Sequence, residues 1–157
     1  MKTKLKKAAA LLLAIVLAAS FLACEATERS AIKKDVIKPF ETACRALDVK
    51  EMLRCFNPTF SDPILTAMGI ADLLGISDYL EKISTRFDNF GKLGVTADEF
   101  FSSVSIKGND YQFNETLDKC RVSATVKYRT KNGEKEVSAV LNCVKKDGKW
   151  YLNTIGL

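Results

Sequence analysis

Apolar and polar positions follow two different periods in the two halves of the chain. In the N-terminal half, Ile32, Val36, Phe40, Cys44 and Leu47 recur at helical spacing, with Pro39 either kinking that helix or opening a new one. Asp48 followed by Glu51 has the form of a capping box, and Val49, Met52, Leu53 and Phe56 are the apolar stripe behind it. Asn57-Pro58 ends that helix. Asp62-Pro63 opens the next, cap followed by proline at the first helical position, and Gly75 stops it. Its residues Ile64, Leu65, Met68, Ile70, Leu73 and Leu74 are apolar on nearly all sides. Ser77 caps a fourth helix with the stripe Ile76, Tyr79, Leu80, Ile83, Phe87 and Phe90, ending near Gly91.

The C-terminal half changes to a period of two. Cys120, Val122, Ala124, Val126 and Tyr128 alternate with Arg121, Ser123, Thr125, Lys127 and Arg129, the pattern of a strand with one buried and one wet face. Asn132-Gly133 reads as a two-residue hairpin turn, placing Tyr128 opposite Val137, Val126 opposite Ala139 and Val122 opposite Cys143. Asp147-Gly148 reads as a second, with Lys145 opposite Trp150 and Cys143 opposite Leu152. Strands are therefore expected at about 119–131, 134–146 and 149–156, forming an antiparallel three-strand meander. Ser102–Ile106 and Tyr111–Phe113 supply further strand material, with Gly108-Asn109-Asp110 as a bulge or turn. Helices followed by an antiparallel sheet define an α+β class, the helices covering one face of a strongly curved sheet.

The first residues stand apart. Lys2, Lys4, Lys6 and Lys7 precede an unbroken apolar run, Ala8–Ala19, and Ser20-Phe21-Leu22-Ala23-Cys24 closes it. A positive start, apolar middle and small-residue exit are the pattern of a secretory signal peptide over residues 1–23. A permanent span needs ~20 apolar residues, which makes this run marginal as an uncleaved anchor. Phe21-Leu22-Ala23-Cys24 resembles the bacterial lipoprotein cleavage box, which implies diacylglycerol and palmitate on a new N-terminal Cys24. Ordinary cleavage after Ala26 is the alternative. Two or more acyl chains hold stably at ~0.8 kcal/mol per buried CH₂, whereas one chain holds marginally. Residues 24–30 are then expected as a short polar tether and 31–157 as one domain on the outer face of the cell membrane.

Composition sharpens this. The formal charge of +5 over 157 residues includes the four leader lysines, so the mature part is near +1. Nucleic-acid binding needs a clustered basic surface, and that reading is dropped. The chain contains no histidine, which excludes histidine ligation and histidine acid–base catalysis. With Cys24 set aside, Cys44, Cys55, Cys120 and Cys143 remain; four cysteines allow three disulfide connectivities, and buried free thiols are the other reading. The hairpin register above leaves Cys120 and Cys143 two residues off direct opposition, ~7 Å on the diagonal and too far for a disulfide without a bulge. Cys44 and Cys55 would lie ~16 Å apart on one straight helix, but a break at Asp48 folds them together.

Three segments carry a resemblance: Phe40-Glu41-Thr42-Ala43 with Ala46-Leu47-Asp48, the short helix ending Cys55-Phe56-Asn57-Pro58, and the closing Asp147-Gly148-Lys149-Trp150-Tyr151. Together they resemble small bacterial lipoproteins with the nuclear transport factor 2-like cone fold, a superfamily shared with ketosteroid isomerase. The resemblance covers Phe40 to Leu157 in element order, with 62–94 matching only as helix. It implies a curved sheet wrapped around a helix, with a cavity either open or filled.

Such cones host isomerases and dehydratases, for which Asp110, Glu115, Asp118, Tyr111, Tyr128 and Tyr151 are the available groups. Acid–base work needs a burial-shifted pKa and a partner in reach, and the polar contexts of Asp110 and Asp118 point to solvated surface instead. No catalytic residue is assigned. Leu65, Met68, Phe100, Phe101, Val126, Leu141 and Trp150 are the expected lining of an apolar cavity, for a small apolar ligand or protein partner. No cofactor or metal is called for, and the oligomeric state is left open. The alternatives to a membrane-anchored binding domain are a small cone-fold enzyme and a secreted, non-lipidated interaction module with a filled core.

Overall fold

A computed structural model describes residues 23–73 and 94–156. Helix α1 (23–32) passes through a π turn (Lys33–Ile37) into α2 (Lys38–Arg45). Within the turn, the Lys38 N–H donates to the Lys33 carbonyl, and Pro39 then occupies the first turn of α2. Leu47 takes a left-handed φ of 53°, reversing the chain, and Asp48 caps α3 (Val49–Arg54) by accepting from the Glu51 N–H at 3.0 Å. Glu51 turns its own carboxylate to Arg54.

Helix α4 (Pro58–Leu73) starts earlier than the sequence predicts. Asn57 is the reason: its carbonyl accepts from Phe60 and Ser61, and its side chain accepts from Thr59 N–H at 3.2 Å. Pro63, expected at the first helical position, therefore lies inside the helix. The predicted stop at Gly75 and the helix of Ile76–Phe90 lie outside the described residues, as does the leader up to Leu22. Helix α5 (Ala97–Ser102) ends on Ser102, which the sequence reading gives as the start of a strand. A complete capping box decides the matter, with Glu99 N–H donating to Thr96 and the Glu99 carboxylate accepting from Thr96 N–H at 2.9 Å.

The sheet has four strands, β1 (Ser105–Phe113), β2 (Lys119–Thr130), β3 (Gly133–Lys146) and β4 (Lys149–Gly156), each antiparallel to the next. β1 is continuous, with the expected irregularity at Gly108/Asp110. The β3–β4 turn gives the predicted pairs Lys145–Trp150 and Cys143–Leu152. The β2–β3 register differs by two residues: Tyr128 faces Lys135, Val126 faces Val137 and Val122 faces Leu141. The turn is centred on Lys131-Asn132, because Thr130 Oγ1 donates to the Gly133 carbonyl and accepts from Asn132 N–H. Gly133 supplies the positive φ of 100° as the first residue of β3. A slip of two leaves every side chain on its original face, so burial pattern alone does not distinguish the two registers.

Helices and sheet share a core of Ile32, Val36, Cys44, Cys55, Val122, Leu141, Trp150 and Leu152. Each fully buried aliphatic there contributes ~1.5–3 kcal/mol of transfer free energy. The expected tether at 24–30 is not a tether: α1 is helical throughout it and docks on the sheet. Its polar sequence hid this, because the docking group is Glu28. That carboxylate accepts from Trp150 Nε1 at 2.7 Å and from Lys145 Nζ at 2.6 Å. Higher on the same helical arm, Asp35 accepts from Trp150 N–H, Glu41 from Ile106 N–H at 2.7 Å, and Arg45 donates to the Ser102 carbonyl at 3.0 Å.

Candidate apolar cavity

The alternation in β2 and β3 turns Val126, Tyr128, Val137, Ala139 and Leu141 toward the helices. Phe40 and Cys44 reach them from α2, Phe100 and Phe101 from α5, Val104 and Ile106 from the entry to β1, and Ile155 from β4. Together they bound a cavity of about 440 Å³. The described lining carries two polar side-chain groups, the Cys44 thiol and the Tyr128 phenol, and no carboxylate. Phe100 is wedged between Phe101 (5.3 Å, edge-on) and Tyr128 (5.0 Å), fixing the aromatic wall. Val137 and Ile155 are over a third exposed and mark the open side.

Of the seven residues expected to line a cavity, Phe100, Phe101, Val126 and Leu141 do so. Trp150 does not. It is fully buried at the opposite end of the sheet, edge-on to Phe113 at 5.9 Å and bonded to Glu28. Parity placed it on the correct face, but parity carries no information about position along the strand. Leu65 and Met68 are half-buried on α4 and lie outside the described lining. The other eight lining residues, Phe40, Cys44, Val104, Ile106, Tyr128, Val137, Ala139 and Ile155, were not expected as lining; the signal for Ile106, Tyr128 and Ala139 was their place in alternating strands.

Of the candidate acid–base groups, Tyr128 is in the described lining; Asp110, Tyr111, Glu115, Asp118 and Tyr151 are not. Asp118 is exposed and its carboxyl is held below the usual range, first by Asn114 and then by Thr116, which donate to it within a tight turn. Tyr111 is buried, and its hydroxyl has no hydrogen-bond partner among the described residues. Burial pushes that phenol up, the neighbouring Cys120 and Cys143 adding to the effect. Its hydroxyl lies so close to Gly108 that a Cβ there would collide with it.

All five cysteines are free thiols. Cys120 and Cys143 stand directly opposite one another, a correction to the two-residue offset expected from the other register. Burial pushes both to about 12, and pushes Cys44 and Cys55 to about 11, with Cys55 adding to the shift on Cys44. Thiols so far above neutrality are poor nucleophiles and poor metal ligands. Among the described residues no group of three or more potential ligand side chains is placed to hold a metal. Cys24 is different: it is exposed, on α1. Among the described residues no helix is long and apolar enough to cross a membrane.

Compared with known proteins, the chain matches no family model and no curated sequence.

Proposed function

We propose that this chain is an exported domain, held to the outer face of a membrane by acyl groups on Cys24. In this reading a cone-like α+β fold binds a small apolar molecule and performs no chemistry on it. The observation that carries the binding half is the cavity of about 440 Å³. Ordinary small-molecule sites span ≈ 300–1,000 Å³ and are lined mostly by apolar and aromatic side chains, as this one is. Its lining favours a ligand with a long or broad hydrocarbon surface. The anchor half rests on the leader pattern and on the exposure of Cys24.

An apolar fluorophore such as N-phenyl-1-naphthylamine, titrated into the domain and competed with a long-chain fatty acid, tests the cavity. Saturable, competable binding is expected, and Ala139→Phe, which projects a ring into the cavity, abolishes it while far-ultraviolet dichroism is retained. Equal binding by the variant, or none by the parent, removes the ligand reading. Mass spectrometry of the membrane fraction tests the anchor: mature protein begins at acylated Cys24, and a Thr27 or Met1 N-terminus refutes it.

A further inference from the structure

The helical arm ascends the sheet from one end to the other. Glu28 meets Lys145 and Trp150 at the β3–β4 turn, and Glu41 and Arg45 meet Ile106 and Ser102 near the opposite end. Cys24 lies four residues before Glu28, about 6 Å along the axis at 1.5 Å per residue. No flexible stretch separates it from the domain, because residues 23–32 are helical. The cavity lies toward the other end. Its β3 lining residues, Val137, Ala139 and Leu141, lie four to eight positions from Lys145, about 13–26 Å at ~3.3 Å per residue.

We infer that the bilayer abuts the end of the domain formed by the 147–148 turn and the 114–118 loop. The cavity is then held away from the headgroups and takes its ligand from the aqueous side. This rests on the lipid-anchor reading and adds an orientation to it. With a flexible tether the domain would tumble and the cavity could reach the membrane. With α1 clamped by Glu28 at two hydrogen bonds, the anchor leaves the domain at one fixed place and direction. The ligand is therefore an apolar molecule delivered through water or by a carrier, and not a lipid drawn directly from the anchoring bilayer.

The test uses the full chain, acylated in a bacterial host and reconstituted into phosphatidylethanolamine/phosphatidylglycerol vesicles carrying a headgroup-linked energy acceptor. A maleimide dye is placed by Asp147→Cys or by Asn132→Cys, the exposed turns at the two ends of β3. Acylation blocks Cys24, and the other four thiols are buried. The turns are separated by the length of β3, some 45 Å at ~3.3 Å per residue, so energy transfer is expected to be at least about threefold stronger from position 147. Adding Glu28→Ala narrows that contrast. Equal transfer from both positions, or stronger transfer from 132, overturns the orientation while leaving the anchor intact. Protein that fails to float with the vesicles and lacks an acylated Cys24 overturns both.

Discussion

Replacing Glu28 with alanine tests whether the helical arm is clamped to the sheet. The carboxylate has one dry bond and one half-wet bond. The indole N–H of fully buried Trp150 donates at 2.7 Å, and Lys145 donates at 2.6 Å with its side chain 28% exposed. Leaving the indole N–H without an acceptor costs ~1–3 kcal/mol. The lysine pair adds at most ~1 kcal/mol, given its contact with solvent. Glu28→Ala is therefore expected to destabilise the domain by ~1–4 kcal/mol, or roughly 3–20 °C in Tm for a domain of this size. Trp150 is the single tryptophan of the chain, so its emission in a urea titration reports on this contact directly. The carboxyl is held below its ordinary value of 4.5, chiefly by the Lys145 bond and then by the Trp150 bond, against burial, which raises it. A lowered folded-state pKa contributes stability that is complete above the unfolded value and lost as pH falls through the folded one. The gap between parent and Glu28→Ala should thus be constant near neutrality and close below about pH 4.5. A gap under about 0.5 kcal/mol at neutral pH, the range of ordinary surface substitutions, would refute the clamp, as would a gap that widens on acidification.

Three further outcomes follow from the same physics. Tyr111→Phe removes a buried hydroxyl that has no partner among the described residues, so chemical denaturation should show it neutral or up to ~1 kcal/mol more stable; a loss above ~1 kcal/mol would reveal a bonded hydroxyl. In unacylated folded protein at about pH 8, a thiol reagent should modify Cys24 alone within minutes, and the other four only after denaturant is added. Thr96→Ala opens the capping box of α5 and should cost ~1 kcal/mol by thermal melting, loosening Phe100 and Phe101 and weakening apolar-probe binding; an unchanged melt would argue against the cap.

The strands were legible because strict alternation and two turn signals fix which residues point inward. The β3–β4 register was legible as well, but the β2–β3 register was not, since a slip of two changes no face, and the decisive atom was the Thr130 hydroxyl. Helix boundaries went astray where side-chain caps competed, Asn57 against Asp62, and the capping box of Thr96 gave a helix over residues for which no element was expected before Ser102. The docked α1 escaped notice for another reason. Hydropathy sees apolar stripes, and residues 25–30 contribute a carboxylate to a buried indole instead. At the cavity, alternation identified Val126 and Leu141, while the same logic misplaced Trp150 because it ranks faces, not ends.

The π turn at Lys33–Ile37 sets the rotational phase of the whole arm. An α-helix turns about 100° per residue, so one residue more or fewer between two contact points swings one of them a quarter-turn or more around the axis. Here the lower segment must present Glu28 to Trp150 while the upper presents Glu41 to Ile106, and Val36 and Ile37 are both buried where the two meet. Deleting a single residue from the turn would favour a regular helix and keep either contact, but not both. The wide turn is thus a gearing element, matching an arm that carries Cys24 to a sheet whose two ends it must reach in step.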